Sequence, residues 1–140
     1  MIKQIIKIII FLVFFSNSLM AKTEYFNEGL TLFKNNKLNE AKFKFEQDIV
    51  FNPKNEKSYL YLSKVFKILE KRNLEEQNLN TVILLNPKNE EAIYNLAKLK
   101  LATSDYKKSK ELNNILNSLC VEFCSQSQKL EIDIENLSKK

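Results

Sequence analysis

A five-residue segment occurs twice in the chain, and its two copies lie 34 positions apart. Asn52–Glu56 reads NPKNE, and Asn86–Glu90 reads NPKNE again. The flanking residues keep the same period. Small residues recur at one position and apolar residues at another: Gly29, Ser63 and Ala97, and Phe51, Leu85 and Leu119. Because a segment duplicated by chance would not carry its flanks with it, the sequence indicates a structural repeat of 34 residues.

Each repeat is predicted to contain two helices. Apolar residues between Tyr25 and Phe33 follow helical spacing, and a second run with Ala41 and Phe45 comes after them. Proline after this second run ends it, because proline lacks the N–H group that a helix needs. One Gly and two Pro in the whole chain are too few for a sheet protein built on tight turns. Side-chain caps are expected at Asn39, Asn55 and Asn73.

These features resemble the tetratricopeptide repeat (TPR) family, in particular small exported bacterial TPR proteins. The resemblance lies in the period, in the small residue midway along each first helix, and in the loop prolines Pro53 and Pro87. The first repeat is the best copy. The second departs at Glu75, where the family has a small residue, and the third has Val121 in place of the proline.

The resemblance implies an all-α fold, a right-handed α-solenoid of three helix-turn-helix repeats. Their expected bounds are residues 22–55, 56–89 and 90–123. Residues 124–140 would form a C-terminal capping helix and tail, because the last repeat of such an array needs a cover with a polar outer side. The alternative is that this last helix docks a partner.

Residues 1–21 have the pattern of a secretory signal peptide. A start with two lysines precedes the apolar run Ile8–Phe15, and the small residue Ala21 stands before the first polar segment. The apolar run is much shorter than the roughly 20 residues that a membrane-spanning helix needs. We therefore expect cleavage after Ala21, or after Ser18 as a second possibility, and export to the periplasm. The alternative is an uncleaved N-terminal anchor, the one case in which membrane contact is expected.

Cys120 and Cys124 are the only cysteines, and they lie where the third repeat should end. A structural disulfide suits an exported chain with an even number of cysteines. Zinc binding would need further ligands, and the chain has no His. Redox catalysis usually uses a two-residue spacer at a helix start beside a strand. The disulfide is the expected state, with zinc and redox chemistry as the alternatives.

In TPR arrays the first helix of each repeat lines a concave surface, and the resemblance implies a partner-binding groove of this kind here. Its expected residues are Phe26, Leu30, Phe33, Leu60, Lys64, Lys67, Tyr94 and Lys98. Aromatic side chains flanked by lysines suit a peptide with apolar anchors and some acidic groups. The alternative is that they are ordinary surface residues of a helical stack.

One specialised function of the family is not expected. TPR proteins that hold chaperone C-terminal carboxylates use Lys, Arg and Asn at fixed groove positions. The matching positions here hold other residues: Phe26, Leu30, Tyr61, Glu91 and Asn95. Glu91 would repel a carboxylate, so we do not expect this clamp.

The composition argues against catalysis, cofactors and nucleic-acid binding. The chain has no His, the commonest general base, and a single Gly cannot build a phosphate-binding loop. Without the leader's two lysines, 20 basic groups face 17 acidic ones, a surplus of three. We expect a non-catalytic adaptor that binds a protein or peptide of the cell envelope. The alternative is a structural subunit or homo-oligomer without an exchangeable ligand.

Overall fold

The computed structural model describes residues 24–139, which contain seven helices and no strand. The leader predicted over residues 1–21 lies outside this range. The helices are α1 (Glu24–Lys34), α2 (Leu38–Phe51), α3 (Glu56–Ile68), α4 (Arg72–Leu85), α5 (Glu90–Ala102), α6 (Tyr106–Leu119) and α7 (Cys124–Ser138). The predicted all-α class is confirmed.

The chain forms two compact units that divide within α3. The first unit ends at Ser58 and contains α1, α2 and the first residues of α3. The second begins at Tyr59 and contains the rest of α3 together with α4 to α7.

In the first unit, α1 and α2 pack closely because Gly29 has no side chain. A Cβ atom at Gly29 would lie 2.7 Å from Cε1 and 2.8 Å from Cδ1 of Phe45. Phe45 and Ala41 of α2 are fully buried. The small residue of the repeat pattern therefore sets the distance between the two helices of this pair.

The core of the second unit is apolar and continuous from α3 to α7. Its buried members include Leu60, Leu79, Val82, Ile93, Leu96, Leu112, Leu116, Leu130 and Ile134. Helix α7 contributes the last two of these, so its apolar face covers the end of the helical stack. Opposite that face, Ile132 is exposed.

A hydrogen-bond network also holds α7 in place. The side-chain amide of Asn113 donates to the Ser127 carbonyl at 3.1 Å and to Oε2 of Glu131 at 2.8 Å. The hydroxyl of Ser127 donates to Oδ1 of Asn113 at 3.0 Å. Asn113 stands at the repeat position that holds Phe45 and Leu79 in the other two repeats, and its polar side chain is accommodated by partners on the capping helix.

The two helices of each pair are joined by the same turn. Asn36, Glu70 and Ser104, which are 34 residues apart, have positive φ angles of 59°, 56° and 61°. In the first turn, the N–H of Asn36 donates to the Phe33 carbonyl at 3.0 Å and that of Lys37 to the Leu32 carbonyl at 2.9 Å. These two bonds define a Schellman motif, and both recur in the other two turns.

The predicted caps are right at one position and wrong at two. The N–H of Lys57 donates to the side chain of Asn55 at 3.3 Å, so Asn55 caps α3. Asn39 and Asn73 do not cap, because α2 and α4 begin before them. Each Schellman turn directs the chain into the next helix at once, and neither of these helices has a side-chain cap bond.

Candidate functional site

Three of the expected groove residues lie on α1, in the first unit. Phe26, Leu30 and Phe33 are all half-buried. The ring of Phe26 lies 5.8 Å from that of Phe45, measured between centroids. The α1 residues thus combine packing on α2 with partial access to solvent.

The other five expected residues belong to the second unit. Leu60, one of them, was expected to be accessible but is buried. Its side chain is 8% exposed and forms part of the core with Leu79 and Ile93. The reason is the register of α3, which directs Leu60 toward the apolar faces of the helices that follow it. Leu60 therefore acts as a core residue and leaves little surface for a ligand.

The lysines of α3 differ in their surroundings. The Nζ atom of Lys64 lies 2.8 Å from the Glu91 carboxylate and 4.5 Å from the centroid of the Tyr61 ring. Its charge is therefore balanced within the unit, and the surface here is less basic than the sequence predicted. Lys67 is exposed.

Tyr94 and Lys98 form an accessible pair on α5. Lys98 is exposed, and its Nζ atom lies 5.6 Å from the centroid of the half-buried Tyr94 ring. The ring of Phe123 packs against Tyr94 at a centroid distance of 5.5 Å and fixes its orientation. The structure thus presents an aromatic face with a cation beside it.

Cys120, just after α6, and Cys124, the first residue of α7, lie at disulfide-bonding distance, as expected. Glu90, at the first position of α5, holds the same loop. Its carboxylate accepts backbone N–H bonds from Val121 at 2.8 Å, Glu122 at 2.9 Å and Phe123 at 2.8 Å. These donors favour the charged form and hold the pKa of Glu90 below its usual value. Sequence reasoning missed this contact.

Glu75 occupies the position at which the other two repeats have a small residue, and it is buried. Desolvation raises the pKa of its carboxyl group, while the positive charges of Lys67 and Arg72 act in the opposite direction. Ala41 and Ser109, at the same position of the other two repeats, are also buried. A charged group thus stands where the repeat needs only a small one.

Asp48 anchors the first NPKNE loop and was also missed. It is fully buried in α2 and accepts three side-chain hydrogen bonds. The donors are the amides of Asn52 at 3.1 Å and Asn55 at 2.7 Å, and the hydroxyl of Ser58 at 2.5 Å. The signal in the sequence was an acidic residue four positions before the loop, at a repeat position that holds Val82 in the second copy.

Comparison with known proteins rests on structure alone. No protein-family model matches the sequence, and a search among curated proteins gives no match. The TPR2B domain of yeast Sti1, in its pHsp70 complex, superposes with a TM-score of 0.78 at 15% identity, covering 84% of this chain and 98% of that one. The fold is that of TPR domains.

Two further solved structures are similar. The first TPR domain of Spaghetti (RPAP3), bound to the HSP90 peptide SRMEEVD, gives a TM-score of 0.73 at 18% identity, with 81% of this chain and 90% of that chain covered. The Yersinia enterocolitica type III secretion chaperone SycD, in complex with a peptide of the translocator YopD, gives a TM-score of 0.74 at 13% identity. The match covers 84% of this chain and 93% of that chain. At these identities, the likeness describes the fold.

Within residues 24–139, no group of three or more His, Cys, Asp or Glu side chains is arranged to hold a metal ion. No helix in the same part of the chain is long and apolar enough to cross a membrane.

Proposed function

We propose that this TPR-fold protein is a non-catalytic adaptor that binds a peptide or protein partner of the bacterial cell envelope. The observation that carries the proposal is the accessible pair of Tyr94 and Lys98 on α5. A ring fixed by Phe123 loses little freedom on binding, and a nearby cation adds selectivity for acidic groups. Three structures of the same fold hold peptide ligands or a partner complex, which supports a binding role.

The test is affinity capture from an envelope extract with the exported protein as bait. The variant Tyr94→Ala plus Lys98→Glu removes the ring and reverses the charge, and we expect it to lose the captured partner. Tyr106→Ala plus Lys107→Glu is the control, because it makes the same two changes of residue type on α6, where Lys107 is exposed. Equal capture by wild type and the α5 variant would refute the assignment of the α5 surface.

The second candidate function, a structural subunit or homo-oligomer, is favoured by an exposed apolar face on α2. Phe43 is 57% exposed and Val50 is 77% exposed, and their seven-residue spacing puts them on one side of the helix. Sedimentation at several concentrations separates the two functions. A lasting oligomer that Phe43→Ser dissociates would support the structural subunit, whereas a monomer at all concentrations would support the adaptor.

The export proposed for this chain agrees with the Cys120–Cys124 disulfide, since structural disulfides persist mainly in oxidising compartments. Mass spectrometry of the exported protein is expected to give Lys22 as the first residue. An N-terminus still at Met1 would contradict cleavage and favour the anchored alternative.

A further inference from the structure

The first unit contains a cavity that shares only Phe26 with the predicted groove. Its volume is about 730 Å³, within the range of small-ligand and side-chain binding sites. Its walls come from the start of α1, the end of α2, the NPKNE loop and the start of α3. They include Phe26, Asn27, Phe51, Pro53, Lys54 and Lys57, and we call this cavity the loop pocket.

One wall of the loop pocket is aromatic. Phe51 is 55% exposed although it is a large apolar residue at the end of a helix. The ring of Tyr25 stacks on it at a centroid distance of 5.5 Å and an interplanar angle of 15°. Phe51 is thereby held in place with one side open, which suits contact with an apolar side chain.

The other wall is basic. Lys54 and Lys57 are exposed, and neither forms an ion pair within residues 24–139. Among the described residues 24–139, the one carboxylate that lines the pocket belongs to Asp48, which is fully buried and already accepts three hydrogen bonds. The charge that the loop pocket offers to a ligand is therefore positive.

The loop that carries Lys54 is fixed more firmly than its own folding requires. The second NPKNE copy forms the same kind of turn, with Asn89 capping α5, although Val82 stands where Asp48 stands in the first copy. A buried carboxylate has a desolvation cost, so its presence only in the first copy calls for a separate reason. Its hydrogen bonds to Asn52, Asn55 and Ser58 hold the loop and the α3 start together. This arrangement pre-organises the basic wall against the aromatic one.

We propose that the loop pocket binds a peptide segment in which an aromatic or long aliphatic side chain adjoins an aspartate or glutamate. The apolar side chain packs on Phe26 and Phe51, and the carboxylate pairs with Lys54 and Lys57. This proposal rests on the proposed protein-binding function and adds a second contact site in the first unit, with a stated ligand chemistry.

The probe is a fluorescein-labelled peptide with one Phe flanked by Asp residues, titrated against the exported protein by fluorescence anisotropy. Lys54→Glu is expected to weaken binding about tenfold or more, because it replaces attraction by repulsion. Lys88→Glu makes the same change in the identical second loop, and it is expected to alter binding less than about twofold. Phe51→Ala is expected to weaken binding of the probe as well. Circular dichroism verifies that each variant folds.

Several outcomes would overturn the proposal. One is that Lys54→Glu and Lys88→Glu weaken peptide binding equally, or that neither weakens it. Another is that the wild-type protein shows no saturable binding. A third is that a probe with Asn in place of Asp binds as tightly as the original probe. The same titration with Tyr94→Ala plus Lys98→Glu separates the two sites. Loss in that variant alone would overturn the loop pocket and leave the α5 surface standing. Loss in the Lys54 variant, with partner capture through α5 unchanged, supports the pocket as a separate site.

Discussion

At the residue scale, Gly29 is the position most sensitive to added volume. The ring that a Cβ would meet belongs to Phe45, which is fully buried and has little room to move. We expect Gly29→Ala to lower the free energy of unfolding by about 1–3 kcal/mol, because overpacking exceeds the gain in helix propensity. Urea denaturation measures it, with the exposed Thr31→Ala on the same helix as control. A stabilised Gly29→Ala protein would contradict the close approach of α1 and α2.

The prediction for Glu75 is the opposite, because replacing this residue is expected to stabilise the fold. Glu75→Ala restores the residue type of Ala41 in the first repeat and is expected to raise the free energy of unfolding at pH 7 by about 1 kcal/mol. The pKa of Glu75 is raised above 4.5 in the fold, so its protonated form is favoured there. Its contribution is therefore present below the unfolded pKa and lost as pH rises through the folded pKa.

The pH profile of the Glu75→Ala effect checks this sign. The difference between variant and wild type should be small near pH 4 and should grow as the pH rises above 4.5. Denaturation midpoints across that range measure it, and Glu135→Ala, at an exposed glutamate of α7, is the control. A variant less stable than wild type at pH 7 would contradict the account of Glu75.

At the element scale, the turns between paired helices carry a specific backbone requirement. Glu70 has a φ of 56°, a conformation that is costly for most residues other than Gly and Asn. Asn36 occupies the same position of the first turn. We expect Glu70→Asn to raise the free energy of unfolding by about 0.5 kcal/mol. Glu70→Val, expected to destabilise, is the control in thermal denaturation, and equal effects of both would contradict the Schellman geometry.

The loop between α6 and α7 depends on a residue far from it in sequence. Glu90→Gln keeps the shape of the side chain but removes the negative charge to which three backbone N–H groups donate hydrogen bonds. We expect faster hydrogen exchange at Val121, Glu122 and Phe123, with Glu56→Gln at the same repeat position as control. Because the pKa of Glu90 is lowered, the wild-type loop should also lose protection as the pH falls below 4.5 toward the folded value. Unchanged exchange in the variant would show that the disulfide alone holds the loop.

The sequence predicts where the helices lie better than it predicts the residues at which they begin. The 34-residue period and the helical spacing locate α1 to α6, because both reflect burial of one face of each helix. The caps at Asn39 and Asn73 failed because a Schellman turn supplies backbone bonds that no side-chain pattern reveals. The role of Glu90 was not predictable for a related reason. Its partners are backbone groups of a distant loop that only the folded chain brings close.

At the scale of the whole molecule, the fold class was readable because each repeat must cover the apolar face of the next. The binding site was less predictable, because the accessibility of each side chain depends on small differences in the register of its helix. Leu60 follows the groove phase in sequence yet belongs to the core, and Lys64 is balanced by Glu91. Tyr94 and Lys98 keep the accessible aromatic and basic character that was expected.

We propose that the protein binds a peptide through accessible aromatic and basic side chains on a TPR fold. The most direct measurement is an NMR titration of the isotope-labelled exported protein with a peptide from the partner recovered by capture. We predict saturable shifts in the amides around Tyr94 and Lys98, and their absence in Tyr94→Ala plus Lys98→Glu. Saturable shifts confined to other helices, or none at all in residues 24–139, would contradict the claim.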